Sequence, residues 1–118
     1  VVNTGQARSI VLFYDGSTPV SNIVRVIKSL NNNETMKKLL VLTTTQSDAE
    51  KIQNELPSNH YQINFQQIQG YDIRDIVSKV KQQSAGLVIL PLEGIVQQQR
   101  GVFRSLMDTL SCPIIFLR

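Results

Sequence analysis

Few residues of this chain are of types that carry chemistry, and their spacing limits what they can do. Asp15, in the run S-I-V-L-F-Y-D-G-S at residues 9 to 17, offers a carboxylate directly after an apolar and aromatic stretch, where α/β domains place ligands. Its other reading is a turn residue whose carboxylate caps the next helix, and turn chemistry explains it unaided. The single cysteine, Cys112, excludes an internal disulfide, and with the single histidine, His60, leaves no set of soft metal ligands. Cys112 opens an apolar run with no base near it in sequence, as an inert core thiol does. His60 follows Pro57-Ser58-Asn59 and reads as an exposed loop residue. No paired carboxylates and no nucleophile with a base can be assembled, so an enzyme is not expected. Anion binding is the chemistry left open. Arg100 and Arg104 could form a charge pair, Gly94 and Gly101 could let backbone N–H groups approach an anion, and Thr43 to Thr45 could present backbone at a strand end. The plainer readings are a solvated helix start, loop glycines and β-branched residues at a strand end.

The elements that must position these residues fit one domain. A chain of 118 residues buries roughly two-thirds of its unfolded surface without metals or disulfides. No apolar run approaches the ~18 residues of a membrane span, and no signal segment opens the chain. A cytoplasmic domain without membrane contact is expected. The chain starts with Val1 rather than Met, so a processed product and an excised domain both fit. The net charge of +3 is mild and the basic residues are scattered, with Lys37-Lys38 the only adjacent pair. Nucleic-acid binding, which calls for a basic face with interleaved aromatics, is not expected.

Residues 1–8 are polar and aperiodic and are expected to be a flexible lead-in to a single domain over 9–118. Ile10 to Tyr14 reads as a strand buried on both faces. Ser17 or Thr18 can cap the next helix with Pro19 at its first position, and Val20, Ile23, Val24, Ile27 and Leu30 form one apolar stripe. The Asn31-Asn32-Asn33 run ends that helix. Lys38 to Thr45 predicts a second strand. Ser47 and Glu50 have capping-box spacing before a short helix carrying Ala49, Ile52, Gln53 and Leu56, which Pro57 closes. Tyr61 to Ile68 alternates apolar and polar residues, as an edge strand does. Gly70 turns the chain, Asp72 caps, and Ile73, Ile76, Val77 and Val80 predict a third helix. Leu87 to Leu90 is a short apolar strand ended by Pro91. Val102, Phe103, Leu106, Met107 and Leu110 form a fourth stripe, and Cys112 to Leu117 is the last strand. Alternating β and α with short connections means an α/β fold with one parallel sheet and right-handed crossovers.

Four pieces in this order resemble the universal stress protein family over nearly the whole chain: I-V-L-F-Y-D-G-S at 10 to 17, G-Y-D-I-R-D-I-V at 70 to 77, A-G-L-V-I-L-P-L-E-G at 85 to 94, and C-P-I-I-F-L-R at 112 to 118. The resemblance implies a three-layer, adenine nucleotide alpha hydrolase-like architecture: a five-stranded parallel sheet ordered 3-2-1-4-5 with helices on both faces. Its switch point lies between strands one and four, where many members bind ATP or AMP. By family position Asp15 is the nucleoside-side acid, Thr43 or Thr44 ends the second strand, and Gly94 is the second Gly of Gly-x-x-Gly. The first Gly is Pro91, which removes an N–H. The later Gly-Ser position falls on Arg104-Ser105 counting forward from Gly94, or on Arg100-Gly101 counting back from Cys112-Pro113. Gly86 stands in place of the usual Asp before strand four. These departures resemble the branch of the family that does not bind ATP.

A phosphorylation receiver domain would need two acids after strand one, an Asp after strand three and a Lys after strand five. The chain offers Asp15 alone, Ile68-Gln69-Gly70, and no residue beyond Arg118. The expected function is a regulatory or interaction module, dimeric through Pro113, Ile114, Ile115, Phe116 and Leu117, that does not bind ATP in the usual way and carries no cofactor. The alternative is an adenine-nucleotide sensor for ATP, AMP or a cyclic nucleotide. It would use Asp15, Thr43, Gly94, Arg100, Gly101 and Ser105, and could serve as a transporter's regulatory domain.

Overall fold

Alternation along three apolar runs decides which face of the sheet each side chain enters. The structure, a computed structural model, describes residues 9–30, 37–56, 61–68, 73–91, 108–110 and 112–117. The strands are β1 (Ser9–Tyr14), β2 (Lys37–Thr43), β3 (Tyr61–Gln67), β4 (Leu87–Pro91) and β5 (Ile114–Leu117), and the helices are α1 (Val20–Ser29), α2 (Gln46–Gln53) and α3 (Ile73–Gln82). All strand pairs are parallel, in the order β3-β2-β1-β4-β5. Among the described residues β3 and β5 are the edges.

Ile10, Leu12 and Tyr14 of β1 join Leu39, Val41, Leu87 and Ile89 against Ile23 and Ile27 of α1 and Ile52 of α2. Val11 and Phe13 join Leu40, Leu42, Val88 and Leu90 on the opposite face, against Ile76, Val77 and Val80 of α3. The two cores are thus one set of strands read at odd and even positions. Right-handed crossovers toward β3 put α1 and α2 on one face, and the reversal toward β4 puts α3 on the other. Of the fourth predicted helix, Asp108 and Thr109 are helical and Leu110 is buried with α3. Its other stripe residues lie outside the described residues, as do the lead-in, Asn31 to Asn33, Pro57, His60, Gly70 and Asp72.

Several local expectations change. Pro19 is the N-cap of α1 rather than its first residue, and no side chain caps that helix. The cap of α2 is Thr45, whose Oγ1 accepts from the Asp48 N–H at 3.1 Å, not Ser47. Thr45 therefore belongs to the turn, and β2 stops at Thr43. Gln53 is exposed, and α2 ends before Leu56, which is nonetheless buried. Pro91 is the last residue of β4, in register with Leu117, rather than a residue beyond the strand. The Val88 N–H donates to the Pro113 carbonyl, so by alternation the Pro91 nitrogen faces the β1 side, where it has no hydrogen to donate. The β1–β4 register stops at Leu12 and Ile89, two residues before it.

Lys37, one residue before the expected start of the second strand, is 1% exposed. It starts β2 on the α1 and α2 face, and its Nζ donates to the Leu30 carbonyl at 2.8 Å. Beside it in register, the Tyr61 hydroxyl donates to the Ile27 carbonyl at 2.6 Å. Two side chains thus satisfy the carbonyl end of α1, where helices leave acceptors unpaired and the dipole favours a cation. Burial lowers the Lys37 pKa and pushes the Tyr61 pKa from 10.0 up to about 12.

Replacing Tyr61 by Phe is expected to lower stability by about 1 kcal/mol in urea unfolding near neutral pH. A raised folded-state pKa stabilises fully below the unfolded value and is lost as pH climbs toward the folded one. The gap between wild type and Tyr61→Phe should therefore hold up to about pH 10 and close between pH 10 and 12.

Candidate functional site

At the carboxyl ends of β1 and β4 the chain leaves in opposite directions, since β1 leads toward β2 and β4 toward β5. In an open parallel sheet that divergence leaves a crevice for ligands. One wall is the turn after β1. Asp15 Oδ1 accepts from the Ser17 N–H at 2.9 Å and from the Ser17 hydroxyl at 2.6 Å, closing an Asx turn. Of the two readings of Asp15, the turn part is present, but the carboxylate bonds to the loop and not to α1. Gly16 sits at φ +88°, and a Cβ there would lie 3.3 Å from Asp48 Oδ1. The left-handed backbone favours glycine here, and a side chain would also press on the Asp48 carboxylate. Asp48, which sequence reasoning passed over, is thereby brought against the β1 turn. Its signal was its place three residues after Thr45, at the first turn of α2.

The second wall is the end of β2. Thr43 is buried, in register with Tyr14 on one side and Gln67 on the other. Its carbonyl accepts from the Ile68 N–H at 2.8 Å, and the Thr44 carbonyl accepts from Gln67 Nε2 at 3.2 Å. The three threonines thus have structural work: two carbonyls tie β2 to β3, and one hydroxyl caps α2. Among the described residues the charged side chains at this corner are Asp15 in the turn after β1 and Asp48 in the first turn of α2, and both are carboxylates.

The floor at β4 is Pro91, buried and without an N–H. Gly94, Arg100, Gly101, Arg104 and Ser105, by family position the phosphate side, lie outside the described residues. Tyr14, the last residue of β1, is 1% exposed, and its hydroxyl has no hydrogen-bond partner among the described residues. Sequence reasoning treated it only as part of an apolar run.

Sequence comparison finds no protein-family model and no curated protein that matches. Comparison with solved structures is decisive for the fold. The hypothetical protein MJ0577, the subject of a structure-based assignment of biochemical function, superposes with a TM-score of 0.70 at 10% identity, covering 93% of this chain and 94% of that one. A universal stress protein in complex with cAMP gives 0.67 at 12% identity, covering 95% and 97%. The chain has the universal stress protein fold. The hypothetical protein PH0823 shares it, with a TM-score of 0.61 at 11% identity over 93% and 94% of the two chains. The strand order 3-2-1-4-5 implied by the family resemblance is the observed one, and within this fold the crevice just described is the switch point.

Cys112, half-buried ahead of β5, has a thiol pKa raised by burial, against the opposing pull of a backbone hydrogen bond. It stays protonated at neutral pH and is a poor nucleophile. Among the described residues no group of three or more His, Cys, Asp or Glu could hold a metal, and no helix is long and apolar enough to cross a membrane.

Two substitutions test the wall residues. Gly16→Ala should cost about 1–2 kcal/mol, because the left-handed backbone is strained for alanine. Tyr14→Phe deletes a buried hydroxyl that has no described partner, and should raise stability by up to about 1 kcal/mol in thermal or urea unfolding. A loss of stability would mean that the hydroxyl is bonded.

Proposed function

We propose that the chain is a universal-stress-protein-like regulatory or interaction module that does not hold ATP in the usual way. The observation that carries this reading is Pro91. It ends β4 with its nitrogen turned toward β1 at the switch point, where the family places a glycine whose N–H is available to a ligand. The rest of the described crevice agrees. Asp15 spends Oδ1 on an Asx turn, the Thr43 and Thr44 carbonyls already accept hydrogen bonds, and Asp48 adds a second carboxylate to the wall. Backbone donors and positive partial charge are what hold phosphates on such folds, and the described residues bring acceptors and negative charge instead. Like the family, the module acts in the cytoplasm in this reading and pairs with a second copy through β5, whose Ile114 to Leu117 are apolar and only half-buried at a sheet edge.

One observation favours a second reading. A structural neighbour holds cAMP, and Tyr14, the residue before Asp15 at the end of β1, has a buried hydroxyl with no hydrogen-bond partner among the described residues. In this reading the crevice senses an adenine nucleotide whose phosphate is a small part of the recognition, such as a cyclic nucleotide.

Titration calorimetry of the purified protein with ATP, AMP and cAMP separates the two. The first reading expects no saturable heat at micromolar concentrations for any of the three, and no change in Asp15→Ala. Saturable micromolar binding that disappears in Asp15→Ala would contradict it and establish the sensor.

A further inference from the structure

Among the described residues β3 is an edge strand, and it lacks the devices that keep edges apart. Natural edges are blunted by lysine, proline, bulges or very short strands. Tyr61–Gln67 reads Y-Q-I-N-F-Q-Q, with no charge, no proline and no glycine. It runs in continuous register with β2 from Lys37–Tyr61 to Thr43–Gln67, so it carries no bulge. The side chains at both ends of β3 are bonded, the Tyr61 hydroxyl to the Ile27 carbonyl and Gln67 Nε2 to the Thr44 carbonyl. Little ordering remains to oppose a partner strand.

We propose that β3 pairs antiparallel with β3 of a second copy of this chain, about a two-fold axis at Asn64. The hydrogen-bonding parity selects this register. The Ile68 N–H donates to the Thr43 carbonyl, so the backbone of even-numbered residues faces β2, while that of Tyr61, Ile63, Phe65 and Gln67 faces outward. A two-fold axis at Asn64 sets Tyr61 against the partner's Gln67 and Ile63 against the partner's Phe65. Outward-facing residues therefore meet outward-facing residues along the whole strand, each pair exchanging two backbone hydrogen bonds.

The side chains are self-complementary in the same register. Ile63 and Phe65 lie half-buried on the α1 and α2 face and meet as apolar cross-strand pairs. They border a groove of about 470 Å3 with Gln53, Asn54, Leu56 and Tyr61, which the partner's apolar pair would cover. On the other face exposed Gln62 meets the partner's Gln66, and Asn64 meets its own copy, amide to amide. No charge faces a like charge. The partner is a second copy because the surface is its own complement, as an isologous contact requires. This contact is separate from the one assigned to β5, and a chain using both edges builds a row of copies rather than a closed dimer.

The register makes a positional prediction. Asn64 and the partner's Asn64 form a non-hydrogen-bonded pair with Cα atoms about 4.5 Å apart, within disulfide reach of about 4.4–6.8 Å. In the full chain carrying Cys112→Ser, Asn64→Cys should form a disulfide-linked dimer under mild oxidation at least about tenfold faster than Gln62→Cys, whose own copy lies out of reach. Gln62→Cys combined with Gln66→Cys should restore fast linking. Light scattering of the otherwise unaltered chain should show Asn64→Lys, which sets like charges opposite one another, to be smaller than wild type. It falls to a dimer if the β5 contact operates and to a monomer if it does not. Circular dichroism checks that the exposed substitution leaves the fold intact. Equal linking rates for Asn64→Cys and Gln62→Cys, no linking at Asn64→Cys, or an Asn64→Lys chain of wild-type size would each overturn the proposal.

Discussion

The structure depends on one constraint: β1 is hydrogen-bonded on both sides and covered on both faces, and its backbone can be satisfied nowhere else. Ile10 to Tyr14 are all at most 1% exposed. Burial of that kind stabilises by roughly 1.5–3 kcal/mol per large apolar side chain, provided that the backbone groups carried inside are bonded. Parallel neighbours on each side meet that condition, and parallel strands need crossovers, which supply the helices that cover both faces. The switch point is a consequence of the same arrangement. Crossovers that run one way from β1 and the other way from β4 must part at the carboxyl end of the sheet.

The amino end of the sheet carries the other structural commitment. Lys37 and Tyr61, neighbours across β2 and β3, both reach the carbonyl end of α1. A buried cation is costly unless it is bonded, and here the helix terminus provides acceptors together with a favourable dipole. The same tyrosine that anchors α1 begins the edge strand β3. The packing of the α1 layer and the geometry of β3 are therefore coupled through one side chain.

Much of this was legible in the sequence because it rests on periodicity. The stripes Val20 to Leu30 and Ile76 to Val80, and the continuous run at Leu87, name their helices and their buried strand from spacing alone. Misreadings arose where local chemistry is degenerate or where tertiary partners decide. Thr45 and Ser47 are both competent caps, and only the end of β2 selects Thr45. Lys37 resembles any surface lysine until α1 is placed over it. Pro91 is an ordinary strand terminator until the opposing β1 register is seen to stop short, which leaves room for it inside β4. At the site, Asp15 was legible as a turn residue. Asp48 and Tyr14 were not, because their significance comes from packing between turns far apart in sequence. Gly94, Arg100, Gly101 and Ser105 rest on family position, as residues outside the described part of the structure.

The central functional proposal is that Pro91 leaves the end of β4 without an N–H donor at the switch point while the sheet is kept. Its most direct test is the content of the protein itself. Purified chain, denatured in acid and cleared of protein, is measured by ultraviolet absorbance and chromatography for released adenine nucleotide. The account predicts none above background. Release of ATP, AMP or a cyclic nucleotide at close to one equivalent per chain would contradict it.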